Sequence, residues 1–427
     1  MSRSLYAVLL GTFTLRFSTG LTAGLLVFYL RDLRVDEFAL AAFTAAFFAA
    51  ELLLSAPFGL LSDRWGHHRV MQIGPVFGAV AVVITWATAD LVIIGGTRWL
   101  EGASTAASIP SILGFIAMVT AGDELLRGRA SARFEGATLA GIGVGIVSAG
   151  LLYDGIPGLA DGLGRNAFLL NALIYLVSLA IYRYGVEPPP GEERTLHAPH
   201  YGWRRYAQLL TTSHVWLLAP TWIAINAALG LWTSQSIFQL IREPDERFAN
   251  QLLMGGFVGA QIALGLGAGL VVFFLGLAYW GERFKNLRRT TIIFYGIIGG
   301  AVSVGAAILI NHSAGFPDAV RLAAALVAAG GVFVLAGATP AALGLLADVS
   351  EAYPADRGAI MGLYSVFLGL GQIVGSVSSG AAADWLGIDG LLIASVVLLV
   401  IALVPLRWLR GSEHLVGRPR VQLATEI

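Results

Sequence analysis

A chain of 427 residues that is 56% apolar and only 13% charged departs far from the roughly 45–50% apolar and 25% charged usual in water-soluble domains. Its 27 basic and 27 acidic residues cancel, which removes any polyelectrolyte argument for nucleic acid or for a polybasic membrane anchor. With no cysteine there is no disulfide, no thiolate metal site and no thiol nucleophile.

Apolar runs of about 20 residues recur along the whole chain, each long enough to cross a hydrocarbon core of roughly 30 Å at about 1.5 Å per residue. In lipid the backbone must satisfy its own hydrogen bonds, so these runs are predicted as helices. They fall near 5–30, 38–61, 70–89, 91–119, 133–155, 166–185, 214–240, 250–279, 290–311, 319–347, 357–384 and 387–410, which makes twelve. The first is longer than a signal-peptide core of roughly 7–15 residues and no small-residue cleavage site follows it, so it is expected to be retained.

The expected architecture is an all-α membrane protein: a six-helix bundle in residues 1–185, a linker over 186–213, and a second six-helix bundle with a tail in 214–427. The linker carries Pro188, Pro189 and Pro190, then Tyr201, Trp203 and Tyr206 beside Arg204 and Arg205, the composition of a short interfacial helix. With both termini cytoplasmic, most basic residues lie inside, against six outside (Arg31, Arg34, Arg165, Arg242, Arg247 and Arg321). The positive-inside rule therefore orients the chain in the cell's inner membrane with its termini in the cytoplasm.

The halves repeat. Laid without a gap over the segment that begins at Arg357, residues 127–154 place Arg127, Gly128, Gly141, Val144, Gly145, Val147, Ser148, Gly150 and Asp154 on Arg357, Gly358, Gly371, Val374, Gly375, Val377, Ser378, Gly380 and Asp384. Both copies start on the cytoplasmic side, so the repeat is parallel, with its axis along the membrane normal.

A charge at mid-bilayer costs roughly 2.5–3.5 kcal/mol on insertion scales, so intramembrane ionisable groups are functional candidates. Arg16 lies midway along the first helix, Glu51 near the middle of the second, and Arg98 and Glu101 one turn apart on the fourth. A carboxylate such as Glu51, held between apolar surroundings that favour its neutral form and an arginine that favours its charged form, could gain and lose a proton in each cycle. The alternative is that two Arg and two Glu neutralise each other as scaffold, Arg98 and Glu101 at i, i+3. The second half offers Trp222, Asn226, Trp232, Gln235, Gln261, Tyr295 and Gln372 instead, and the sixth helix Asn171 and Tyr175. These could line a substrate cavity, anchor helices at the interface or bond across helices.

Gly59, Leu60, Leu61, Ser62, Asp63, Arg64, Trp65, Gly66, His67, His68 and Arg69 form a loop that resembles the signature G-x-L-a-D-R-x-G-r-r/k-r of the major facilitator superfamily. Glu282 and Arg283, with Lys285 in place of the second glycine, resemble a degenerate copy after the eighth helix. Physically, Gly59 suits close approach of two helices and Gly66 a sharp turn. Asp63, at a helix end beside cations, can pair with arginine or with a helix N-terminus.

The resemblance covers essentially the whole chain. It implies two pseudo-symmetric six-helix bundles and alternating access, with that loop as a gating latch that Asp123, Glu124, Arg127 and Arg129 join, and Asp348, Glu351 and Arg357 in the second half. Arg98, Trp99, Leu100, Glu101 and Gly102 resemble the family's R-x-x-Q-G motif, linked in it to proton coupling, with Glu for Gln. Residues Gly141 to Gly150 resemble its antiporter motif, with Ile146 where proline belongs.

The expected function is thus secondary active transport of a small organic solute, coupled to protons, by a monomer with no cofactor and no metal. An uncoupled facilitator, or a membrane binding or assembly factor that kept the fold, are the alternatives. An enzyme is not expected, because no nucleophile, base and orienting group converge. Gly141, Gly143 and Gly145 lie inside an apolar helix, not in a dinucleotide loop after a strand, and no Walker-type lysine loop points to ATP.

Overall fold

The computed structural model describes residues 3–120, 124–188, 215–283, 287–352 and 357–413. The expected interfacial helix over 201–206 lies outside them. Helices α1 (Arg3–Asp32), α2 (Glu37–Trp65), α3 (Ile73–Ala87), α4 (Leu91–Val119), α5 (Glu124–Tyr153) and α6 (Ala167–Gly185) come first. A two-residue hairpin, β1 (Gly155–Ile156) with β2 (Ala160–Asp161), joins α5 to α6. Then follow α7 (Ala219–Ile241), α8 (Gly259–Arg283), α9 (Arg289–Asn311) and α10 (Asp318–Leu335), which resumes after a break as Ala338–Ala352.

The last element, Arg357–Ser412, has 56 residues and Gly387 at φ 62° inside it. A helix of that length far exceeds the thickness of one bilayer. It is two helices, α11 before Gly387 and α12 after.

Among the described residues ten helical stretches are long and apolar enough to cross a membrane. The last of these holds both α11 and α12. Helix α7 is not among them, although its 23 residues suffice for a span, because it carries Asn226, Ser234, Gln235 and Gln239, all buried. Polar side chains on a spanning helix are stable when they face protein rather than lipid.

The chain divides into two compact units, residues 1–200 with 257–267, and residues 201–256 with 268–427. In the first, glycines let backbones meet. A side chain at Gly20 would strike the Ile142 backbone, and one at Gly145 would strike the backbone of Phe17 and Leu21, so α1 and α5 touch main chain to main chain. Gly102 of α4 does the same against Phe47 and Glu51 of α2. Such small-residue contacts replace the hydrophobic driving force that lipid does not supply.

In the second unit Gly371 and Gly375 of α11 meet Asn226, Ala227 and Gly230 of α7. The sequence repeat thus appears as the same contact made twice. Gly20 of α1 and Gly230 of α7 both lie in these contacts. One turn before them stand Arg16 and Asn226 respectively, so Asn226 takes in the second unit the place that Arg16 has in the first.

Two of the differences from the expected boundaries lie in the second half of the chain. The eighth helix, expected from residue 250, begins at Gly259. The apolar stretch before it packs as a loop: Leu252 and Leu253 N–H groups donate to the Asn311 backbone and side chain, and Gly255 and Gly256 turn at positive φ. Met254 is buried with Phe248, Val304, Ile388 and Leu392, so the run is apolar because it covers a core. The tenth helix, expected unbroken over 319–347, breaks at Ala336 and Gly337. There Trp280 Nε1 donates to the Phe333 carbonyl at 3.1 Å, satisfying a group that the broken helix leaves open.

Candidate functional site

The four intramembrane charges expected in the first unit lie in two clusters. In the first, Arg98 and Glu101, one turn apart on α4, form an ion pair with side chains 6% and 2% exposed. Tyr175 Oη of α6 donates to Glu101 Oε1 at 3.2 Å, and the Arg98 guanidinium lies 5.2 Å over the Phe47 ring of α2. The pair is closed off by three helices.

The second cluster is looser. Arg16 Nη2 of α1 stands 3.9 Å from Glu51 Oε1 of α2, with side chains 10% and 25% exposed. Arg16 Nη1 donates to Thr105 Oγ1 of α4 at 3.4 Å. Arg16 Nε is buried without a hydrogen-bond partner among the described residues. Its long contacts set this guanidinium apart from that of Arg98, whose Nε likewise lacks a partner among the described residues, and a closely paired buried charge is the costlier one to open.

Of the other candidates on α6, Asn171 is fully buried and donates to the Ser18 carbonyl and to Thr22 Oγ1 at 3.0 and 2.7 Å. Asn171 and Tyr175 therefore tie α6 to its neighbours.

In the second unit Asn226 donates to the Trp222 carbonyl at 2.8 Å, and Trp222 is buried in an aliphatic core with Ile225, Ile293 and Leu406. Gln372 Oε1 accepts from Thr233 Oγ1 at 2.9 Å, joining α11 to α7. Trp232 Nε1 donates to Ser395 Oγ at 2.9 Å. Gln235 is buried and accepts from Gln239 one turn on. Tyr295 is exposed on α9 beside Trp280, and Gln261, which falls in the first unit, accepts from the Val258 N–H at the start of α8.

The loop after α2 is built by its own residues. Gly66 has φ 95°, a left-handed conformation, and its N–H donates to the Ser62 carbonyl. Only glycine holds such a turn without strain. Ser62 Oγ donates to the Gly59 carbonyl at 2.8 Å and lies 3.1 Å from His67 Nδ1. Gly59 itself would tolerate a side chain, since the nearest atom is Pro110 Cβ at 3.8 Å. The close approach expected at Gly59 is made instead at Gly102.

Arg64, Arg69, Glu282 and Arg283 are exposed, with Arg283 over the Tyr279 ring at 5.0 Å. The side chains of Asp63, Asp123, Glu124, Arg127, Asp348 and Arg357, expected in the latch, lie outside the described residues.

Glu135 was not among the expected site residues. Helix α5 starts at Glu124, well ahead of the expected start at 133. Glu135 is therefore about three turns into a helix rather than at its polar end. The polar stretch Glu124 to Ala132 hid it; a helical reading of that stretch would have exposed the carboxylate.

Helices long and apolar enough to cross a bilayer, with ion pairs buried among those of the first unit, define a polytopic membrane protein. A sequence profile of the Major Facilitator Superfamily matches residues 8–316 and, in a second overlapping match, 259–424. The chain belongs to that superfamily, a family of multi-pass membrane transporters. Among solved structures it is similar to two crystal structures of the nucleoside transporter NupG, one of them an aspartate-to-alanine variant. Each aligns with a TM-score of 0.69 at 13% identity, over 95% and 96% of this chain respectively and 99% of the other. At that identity the likeness is one of fold. No curated protein matches it by sequence.

Proposed function

We propose that the protein moves a small organic solute across the inner membrane by alternating access, coupled to protons, as a monomer with both termini in the cytoplasm. The bundles of residues 1–185 and 214–427 are the moving bodies in this reading, 186–213 links them, and Asp63 with Asp123, Glu124, Arg127, Asp348 and Arg357 latches the cytoplasmic face. The observation that carries it is the contrast between the two ion pairs. Arg98–Glu101 is sealed, while Arg16–Glu51 is long and its carboxylate one quarter exposed. A carboxylate that can be reached, and that an arginine can release, links proton occupancy to side-chain arrangement.

The solved NupG structures are of a nucleoside transporter, so nucleosides are the first solutes to test, within a wider panel of neutral and cationic metabolites. A ligand that binds the folded state alone raises thermal stability, by about 2.7 kcal/mol at 100 times its Kd. With a ligand in hand, Glu51→Gln should abolish accumulation driven by a pH gradient in proteoliposomes, while solute exchange at equal pH continues. Unchanged gradient-driven uptake would remove Glu51 from the mechanism.

A further inference from the structure

Residues 242–256 follow α7 within the second unit and are fastened at three points. Phe248 and Met254 pack on Val304 of α9 and on Ile388 and Leu392 of α12. Gly255 and Gly256, both at positive φ, turn the chain back so that their N–H groups donate to the Gln239 and Arg242 carbonyls at the end of α7, at 2.8 and 2.9 Å. The third fastening is polar. Asn311, the last residue of α9, is fully buried: its carbonyl accepts the Leu252 N–H at 2.8 Å, its Oδ1 accepts the Leu253 N–H at 2.9 Å, and its Nδ2 donates to Asp389 Oδ1 of α12 at 2.9 Å. Gln251 donates to the Leu386 carbonyl at 2.9 Å and accepts the Asp389 N–H at 3.3 Å.

One member of this cluster is at the surface and can change charge. His312 Nε2, next along the chain from Asn311, lies 2.9 Å from Asp389 Oδ2 and 3.0 Å from Oδ1, with its side chain 37% exposed. Asp389 is thus the anchor shared by His312 and by Asn311, and Asn311 holds the loop backbone. An imidazolium grips a carboxylate with a charge-assisted bond, a neutral imidazole with an ordinary one. Histidine makes that change between about pH 5 and 8. The other charges of the adjoining segments are engaged elsewhere or face outward. Asp245 is paired with Arg242 and Arg247, Asp318 of α10 with Arg321, and Glu243, Glu246 and Asp384 are exposed. None of these pairs with His312 among the described residues.

We propose that His312 and Asp389 form a pH-sensitive clamp on the loop between α7 and α8. With His312 protonated, the ion pair fixes Asp389, Asn311 and the loop over the end of α7. The grip is complete below the range in which histidine loses its charge and weakens as pH rises through that range. What the loop covers gives its opening a consequence. Gln239, whose carbonyl accepts the Gly255 N–H, also donates through Nε2 to Gln235 Oε1 at 3.2 Å, and both side chains are fully buried. A released loop bares the end of that amide row. The clamp lies in the second unit, apart from Arg16 and Glu51 in the first, and needs no solute to work.

Hydrogen exchange of the full-length protein in nanodiscs, read by mass spectrometry over Phe248 to Val258 and corrected for the intrinsic pH dependence of exchange, reports the clamp directly. The bonded N–H groups of Leu252, Leu253, Gly255 and Gly256 exchange only when the loop opens. From about pH 5 to 8, wild-type protection should fall about fivefold, the scale of one partly exposed ion pair. His312→Gln keeps a side-chain donor but cannot titrate. It should hold protection at the lower level throughout, while Ile292 to Ile297 of α9 exchange as in the wild type. Asp245→Asn, in the same loop, should retain the fivefold change.

Wild-type protection that does not vary with pH overturns the proposal, and so does a pH response that survives His312→Gln or that Asp245→Asn abolishes. Neither flux nor a pH gradient enters this measurement, so the transport reading stands or falls separately.

Discussion

Glu101→Ala is expected to destabilise the folded protein by about 3–5 kcal/mol, the usual cost of stranding one member of a buried ion pair. The Arg98 side chain is 6% exposed, its Nε already lacks a partner among the described residues, and Tyr175 Oη would lose its acceptor as well. The apparent unfolding temperature of the purified protein should fall steeply. The double variant Arg98→Met with Glu101→Leu should restore most of it, since a buried pair replaced by apolar groups of similar volume is often neutral. If Glu101→Ala alone unfolds at the wild-type temperature, the pair is not part of the scaffold.

Gly145→Val should be nearly as damaging, at about 3 kcal/mol, the upper end of the range for overpacking. The added side chain would meet main-chain atoms of Phe17, Gly20 and Leu21, and backbone cannot step aside as a flexible side chain does. Gly375→Val, at its counterpart in the sequence repeat, would meet the backbone of Ala227, Gly230 and Leu231 and should cost a similar amount. Gly136→Val, on α5 with nothing within 4 Å of the added atom, is the control and should leave stability within about 1 kcal/mol of wild type. Thermal unfolding of the three variants decides the matter; equal stability for Gly145→Val and Gly136→Val would contradict the backbone contact.

What the sequence made legible follows from what a bilayer demands of it. Spanning helices need long apolar runs, so α1 to α6 and α8 to α12 were readable from composition, and α7 too once its amides were counted as inward-facing. The repeat between α5 and α11 was readable because glycines at a helix crossing admit no substitute. The matching of Arg16 with Asn226 was not, because α1 and α7 are offset differently along the chain from α5 and α11, and the two residues differ in kind.

Boundaries were misread where apolar or polar character served another purpose. Met254 is apolar to cover Ile388 and Leu392, not to enter lipid. Glu124 to Ala132 is polar yet helical, which concealed Glu135. The role of Gly66 came directly from chain chemistry, whereas Gly59 and Gly102 could be told apart only by distances between helices.

The measurement that tests the account most directly uses the absence of cysteine from the chain. Single cysteines placed at Thr233 or Gln372 can be labelled in oriented vesicles with a membrane-impermeant maleimide, from either side, with and without a pH gradient. Transport by alternating access predicts that a given position reacts from the cytoplasmic side in one condition and from the opposite side in the other. If every position reacts from one side only under all conditions, the two bundles do not exchange the face they open, and the carrier mechanism is wrong.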